Sequence, residues 1–362
     1  MASGIELEGI SKVFRHPERG DVHAVKQLNL TVQPGELLTL LGPSGCGKTT
    51  ALRMIAGFEN PTTGRILIGG QDVTNIMPNR RNIGFVFQNY ALFPHMNTFD
   101  NVSYGLSVKG ISPADRRKRV AHVLNLVGLE GMERRYPNQL SGGEQQRVAL
   151  ARVIVTEPSV LLLDEPLSNL DAKRRIQMRS EIRRLQRSLN MTSVYVTHDQ
   201  EEALSISDRV VVMNQGEVEQ EGTPQEIYAR PATLFVAGFI GKVNALPAQI
   251  LRVDNDEVTA SFGSSTYTVY RPKMSISVGQ RVSLLVRPES IDLGIEPDGT
   301  APRGRIVQAT YLGEKVEYDI DSGGVQIKVV SFDPARHGIF HQGQDVYLQM
   351  QGGSMILTHE QE

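Results

Sequence analysis

Residues 37–57 read LLTLLGPSGCGKTTALRMIAG. Within them Gly42, Pro43, Ser44, Gly45, Cys46, Gly47, Lys48, Thr49 and Thr50 follow the spacing of a phosphate-binding loop. Glycines at 42, 45 and 47 let the backbone fold tightly around an anion, where side chains would clash or forbid positive φ. The freed backbone N–H groups and the start of the next helix then point at phosphates. Lys48 adds a point charge for the β- and γ-phosphates, and Thr49 offers a hydroxyl to Mg²⁺. The apolar run 37–41 before the turn and the helical pattern after it supply the strand–turn–helix context the motif needs. A plain turn is the alternative, but a chance match has a likelihood on the order of one per cent.

Four more groups carry chemistry. Asp164 and Glu165 close the apolar run 160–163, and adjacent carboxylates at the carboxyl end of a buried strand mark the ligand crevice of an open parallel sheet. One can hold Mg²⁺ through water while the other orients or deprotonates an attacking water. Gln88 ends the run NIGFVFQ, where its amide reaches a metal or its water. His198 ends the run SVYVT in the same crevice, which gives it a role at the γ-phosphate. The fourth group, LSGGEQQR, opens a helix with a capping box of Ser141 and Glu144. Gly142 and Gly143 in its first turn cost about 1 kcal/mol each relative to Ala. A purely structural helix has no use for that cost, so the stretch reads as a second anion-binding helix end. Phe14 upstream stacks on an adenine ring or belongs to the core; position alone leaves both open.

These groups must be positioned by a chain of 362 residues, long enough for two domains or more. Its 40% hydrophobic and 22% charged content is that of a globular protein, and a formal charge of −2 gives no general case for nucleic acid or anionic membrane. The basic runs 116–119 and 173–187 read as solvated helix faces. Cys46 is the single cysteine, which rules out an intrachain disulfide and suits a reducing compartment; with no general base beside it in the motif, it reads as a packing residue. No apolar run nears eighteen residues and the start lacks a signal-peptide pattern, so a cytoplasmic protein is expected, free to dock on a membrane protein.

Ser112 and Pro113 start a helix whose apolar positions Val120, Val123, Leu124 and Val127 keep helical spacing up to Gly128. Asp171 precedes a long helix with Met178, Ile182, Leu185 and Leu189 on one face. Residues 214–216 read as a hairpin turn, and the aromatic stretch 89–102 as an irregular segment, either local core or partner surface. After about residue 239 come short alternating runs at 257–262, 266–270, 281–286, 304–311, 315–320, 325–330 and 345–350, which predict a small all-β barrel without chemistry of its own. The expected architecture is an α/β P-loop ATPase domain over 1–238, mostly parallel sheet with a helical subdomain at about 89–156, then a β-domain over 239–362.

The ordered set GPSGCGKT, Gln88, LSGGEQQ, LLLDEP, SNLD and His198 resembles the ATP-binding subunits of ABC transporters over essentially the whole chain. With FQNYALFPHM, DEPLSNLDA and Arg287–Pro–Glu289, it is similar to importers of the maltose, polyamine, ferric-iron and sulfate group, and most to ferric-iron and polyamine members. The resemblance implies an OB-like regulatory (TOBE) domain at the C-terminus. It also implies a homodimer sandwiching two ATP, each site pairing one copy's P-loop with the other's LSGGE helix. On that pattern Phe14 stacks adenine, and residues 42–50 hold phosphates. Thr49, Gln88 and Asp164 serve Mg²⁺, and Gln88 also senses the nucleophilic water. Glu165 is the general base, His198 contacts the γ-phosphate, Ser141, Gly142, Gly143 and Glu144 approach the partner's ATP, and Asp171 couples the sites. The implied partners are two permease subunits at the cytoplasmic face of the membrane and, indirectly, a periplasmic or extracellular solute-binding protein; nucleic acid is not among them. The alternatives are a non-transport ABC ATPase, which would need a coiled coil or a second P-loop absent here, and an ATP-sensing regulator, which Glu165 and His198 argue against.

Overall fold

Apolar runs without alternation fold as strands covered on both faces. The computed structural model describes residues 3–16, 20–270, 275–296 and 299–359, and the chain divides into the units Met1–Gln225 and Glu226–Glu362. The first unit opens with β1 (Ile5–His16), β2 (Gly20–Val32), β3 (Leu37–Leu41) and α1 (Lys48–Ala56). Next come β4 (Thr63–Ile68), β5 (Gln71–Asp72), β6 (Ile83–Val86), α2 (Thr98–Val108), α3 (Pro113–Leu126) and α4 (Gly142–Ile154). It ends with β7 (Val160–Asp164), α5 (Ala172–Ser188), β8 (Thr192–Thr197), α6 (Gln200–Ile206), β9 (Arg209–Asn214) and β10 (Glu217–Gly222).

Six strands form the central sheet in the order β10-β9-β3-β8-β7-β6, parallel except for β10, which returns antiparallel through a turn with positive φ at Gln215 and Gly216. An antiparallel sheet, β2-β1-β4-β5, lies over α1. The period of two splits the central strands between two cores. Leu38, Leu40, Val160, Leu162, Val194 and Val196 pack with α1 and the antiparallel sheet, while Leu37, Leu161, Leu163 and Tyr195 pack with α2 to α5. Truncating any one of these leucines to alanine costs about 2–5 kcal/mol. Parallel strands put their carboxyl ends on one edge, and there β3, β7 and β8 deliver the loop, the carboxylates and the histidine.

The α3 start behaves as its sequence dictates: Ser112 accepts from the Asp115 N–H and Pro113 opens the helix. The segment 89–102 does not stay irregular. Asn97 caps α2 by accepting from the Asp100 N–H, a signal readable in N-T-F-D. Its aromatic cluster is also divided. Tyr90 is buried, Leu92 and Phe99 lean on the core of α2 to α5, and Phe93 is half-buried against Tyr104.

The second unit begins within α7 (Pro224–Ala229) and continues through α8 (Leu234–Phe239) to ten strands. These are β11 (Asn244–Val253), β12 (Glu257–Phe262), β13 (Ser265–Tyr270), β14 (Arg281–Val286), β15 (Ile291–Gly294), β16 (Arg303–Tyr311), β17 (Lys315–Ser322), β18 (Val325–Phe332), β19 (Asp345–Met350) and β20 (Met355–His359). They make two five-stranded antiparallel sheets around one core, β13-β12-β11-β14-β20 and β15-β19-β16-β17-β18. The unit starts at Glu226, ahead of the change in pattern near 239. The reason is Arg287, buried at 7% exposure, which donates to the Tyr228, Ala237 and Lys242 carbonyls and lies 4.3 Å from the centre of the Tyr228 ring. The Tyr228 hydroxyl donates to Glu289; burial first, then that carboxylate, push its pKa up to about 12. The Arg287–Pro–Glu289 stretch is thus a clamp on 226–242.

Candidate ATP site

β3 runs straight into the glycine loop, and Gly47 caps α1 at φ 103° with no side chain on the first-turn N–H groups. The loop is pressed from behind. A Cβ on Gly42 would run into the Met213 carbonyl, and one on Gly47 into the Ala24 carbonyl, so neither position accepts a side chain. The Gly216 N–H donates to the Cys46 carbonyl (3.1 Å), which ties the β9–β10 turn to the loop. Lys48, 4% exposed, donates to the Gly42 and Pro43 carbonyls at 2.7 and 2.9 Å, and its Nζ lies 3.7 Å from the Cys46 Sγ. Cys46 is buried as a packing residue. Phe14 sits opposite Val22 on the β1–β2 ladder, near the Ala24 that backs Gly47. At 39% exposure its ring is not core; Lys12 Nζ lies 4.9 Å from its centre.

Asp164, the last residue of β7, accepts from the Thr49 hydroxyl at 3.0 Å. Burial pushes its carboxyl up, and the Thr49 bond offsets part of that. A divalent cation would offset the rest. Among the described residues no three His, Cys, Asp or Glu side chains converge as a metal cage. A hydroxyl, one carboxylate and the nearby Gln88 amide are a hard-oxygen donor set that fits Mg²⁺, which keeps several waters and takes phosphate oxygens.

Glu165 follows with φ 84°, a left-handed backbone that L-residues rarely adopt. Its N–H donates to the Val196 carbonyl (3.1 Å), and its own carbonyl accepts from the Ser168 N–H (2.7 Å). The carboxylate accepts from Gln88 Nε2 at 3.3 Å and lies 3.4 Å from His198 Nδ1. Gln88 Nε2 is also 3.4 Å from the Ser168 hydroxyl, and its carbonyl accepts from Asn169 (2.9 Å). The Thr49–Asp164 bond and the contacts of Glu165 with Gln88 and His198 thus stand side by side at the carboxyl end of β7.

The LSGGE residues stand apart. The Ser141 N–H donates to Glu144 (2.7 Å) and the Glu144 N–H to the Ser141 hydroxyl (3.4 Å), closing the capping box. The Ser141 bonds hold the Glu144 carboxyl below its usual range. Gly142 lies against Leu170, where a Cβ would come 3.3 Å from the leucine side chain. Asp171 caps α5 by accepting from the Arg174 N–H (3.0 Å). Among the described residues no hydrogen bond joins 141–144 to 42–50. Sequence reasoning passed over Arg175, Asp199 and Glu202, charged neighbours of the motifs, and Arg152, which donates to the Tyr90 and Ala91 carbonyls (2.8 and 2.7 Å). Their signal was only adjacency to a motif. Among the described residues no helix is long and apolar enough to cross a membrane.

Residues 25–168 match the ABC transporter family model, and residues 284–357 match that of the TOBE domain. The chain is 51% identical over 328 residues to the Fe(3+) ions import ATP-binding protein FbpC 1 of Rhizobium meliloti (strain 1021), covering 90% of this chain and 91% of that one. It is 49% identical to the spermidine/putrescine import ATP-binding protein PotA of Acidothermus cellulolyticus, covering 90% and 86%. Among solved structures, the dimeric post-hydrolysis state of the ATP-binding cassette MJ0796 bound to ADP and Pi is 35% identical, with a TM-score of 0.55 over 61% of this chain and 98% of that one. The structure of cbiO1 from Clostridium perfringens is 32% identical, with a TM-score of 0.57 over 62% and 90%.

Proposed function

The chain belongs to the ABC transporter family as an ATP-hydrolysing subunit of the import type, and from that premise we propose that two copies close around two ATP to drive a permease. The observation that carries the reading is the end of β7, where Glu165 faces Gln88 and His198 while Thr49 bonds Asp164. The loop N–H groups and Lys48 hold the β- and γ-phosphates, and Phe14 offers its exposed face to the adenine. Thr49, Asp164 and Gln88 hold Mg²⁺, which when bound supplies positive charge against the phosphate oxygens. Glu165 takes a proton from the attacking water, Gln88 orients that water, and His198 bonds the γ-phosphate.

The capping-box helix end completes the other copy's site: Gly142 and Gly143 present N–H groups and Ser141 its hydroxyl to its γ-phosphate, Glu144 holds that end in place through its bonds with Ser141, and Asp171 couples the two sites. The γ-phosphate drives closure because only with it does that helix end meet an anion. A shift from 1:99 to 99:1 needs about 5.5 kcal/mol, which a few charge-assisted hydrogen bonds of roughly 1.5–3 kcal/mol each supply. Closure passes to two permease subunits through the surface around Phe93 and the exposed rings of Phe58 and Phe87 beside Gln88. On this reading the protein works at the cytoplasmic face of the cell membrane, opposite a solute-binding protein.

Glu165→Gln tests the reading. The variant binds ATP and loses hydrolysis by about 10²–10⁴-fold, the range of a general base. Near-normal turnover would remove Glu165 from the role. Ferric iron is the proposed solute, as the names of relatives such as FbpC 1 suggest, with polyamine second on the likeness to PotA. Deleting the gene should abolish uptake of radiolabelled ferric iron and leave spermidine uptake intact; the opposite pattern would select the polyamine.

A further inference from the structure

The guanidinium of Arg175, in the first turn of α5, joins two loops that flank Glu165. Its Nη1 donates to Asp199 Oδ2 at 2.9 Å, and its Nη2 to the Leu170 carbonyl at 3.3 Å. Its Nε is buried without a hydrogen-bond partner, 3.9 Å from a carboxylate oxygen of Glu202. Glu202 is itself 3% exposed, and accepts from the Tyr195 and Thr197 hydroxyls at 2.9 and 2.8 Å.

Both anchored residues lead to the reaction. Leu170 lies between Glu165 and Asp171, and its side chain is the surface against which Gly142 packs. Asp199 follows His198 directly and caps α6, accepting from the Glu202 N–H at 3.0 Å. The Asp199 N–H donates to Thr197, so the turn holding His198 is fixed on both sides. A guanidinium is a rigid planar fork, so a displacement of one of its anchors is passed to the other.

We propose that Arg175 is a positioning residue for hydrolysis: it ties the loop under the LSGGE helix, through the Leu170 carbonyl, to the turn that aims His198 at Glu165. When the helix end engages a phosphate and Leu170 is pushed, Arg175 carries that movement to Asp199 and sets the His198–Glu165 distance. The buried Nε, with an acceptor just beyond bonding distance, gives the guanidinium room to gain one more bond as it shifts. The proposal rests on the reading of Glu165 and His198 given above.

Steady-state ATPase kinetics of the purified full chain test it with Arg175→Ala, Arg175→Lys, Asp199→Asn and the pair Arg175→Lys/Asp199→Asn. Asp199→Asn keeps a side chain able to cap α6. Arg175→Ala should lower kcat by about 10- to 100-fold, the cost of a misplacement on the order of 1 Å, with KM for ATP changed by less than about twofold. Arg175→Lys, a point charge without the fork, should fall between. The pair should be no slower than its slower single variant, since both remove one link. A raised KM with unchanged kcat, or single effects that multiply in the pair, would overturn the proposal. If Arg175→Ala gives no thermal unfolding transition, the lysine and asparagine cycle decides alone. Wild type and Glu165→Gln run beside them: a silent Glu165→Gln keeps the hydrolysis reading standing whatever the Arg175 variants do.

Discussion

Glu165 combines two demands in one residue. Its carboxylate meets Gln88 and His198, while its backbone is held at φ 84° by the bond to Val196 and the turn to Ser168. A non-glycine residue there costs on the order of 1–3 kcal/mol, and such strain collects where function needs it. Glu165→Gly should therefore abolish hydrolysis while raising unfolding free energy by about 1 kcal/mol in urea denaturation. A destabilised glycine variant would show that the carboxylate's bonds outweigh the strain. The identity of Glu165 was legible in Asp164–Glu165 after an apolar run, but its dihedral was not. That angle is imposed by β8 and the turn at Ser168, partners distant or unseen in the local pattern. Phe14 shows the same division. Its type suggested two roles, and only its place on the β1–β2 ladder removed the core reading.

At the scale of elements, the glycine loop is shaped by what stands behind it. Gly42 and Gly47 back onto the Met213 and Ala24 carbonyls, whereas a Cβ on Gly45 would meet nothing within 4 Å. Gly42→Ala should abolish ATP binding and cost more than about 2 kcal/mol, because backbone cannot yield as a side-chain tip does. Gly45→Ala, strained only by its φ of 82°, should cost about 1 kcal/mol and keep measurable nucleotide affinity. Titration with a fluorescent ATP analogue ranks the two, and equal losses would contradict the account.

The strands that carry the site were readable because parallel strands covered on both faces are apolar throughout. The elements that escaped did so for local reasons. β11 contains Pro247, which argues against a strand, yet β11 pairs with β14 over 244–249 and with β12 only from Gln249 onward, so the missing N–H faces no partner. α2 was hidden by the aromatic residues around its cap, and α6 is a short helix set by the Asp199 cap.

At the scale of the molecule, the glycine loop and the LSGGE helix end share no hydrogen bond among the described residues: the loop closes on β2 and the β9–β10 turn, and the helix end closes on itself and Leu170. Two such ends are intelligible if each serves a different nucleotide. The motif order suggested that much. The extent of the second unit was not legible, because the clamp built on Arg287 ties residues 226–242 to strands about fifty positions away. On the proposed reading each site is shared between two copies. The most direct measurement is the ATPase rate of an equal mixture of Lys48→Ala, without the lysine proposed to hold phosphate, and Ser141→Arg, with the proposed phosphate-facing helix end obstructed. Each alone should be near silent, and the mixture should hydrolyse ATP well above their sum, because mixed pairs contain one site with both parts intact. A Ser141→Arg protein that turns over like wild type by itself, with no gain on mixing, would contradict the account.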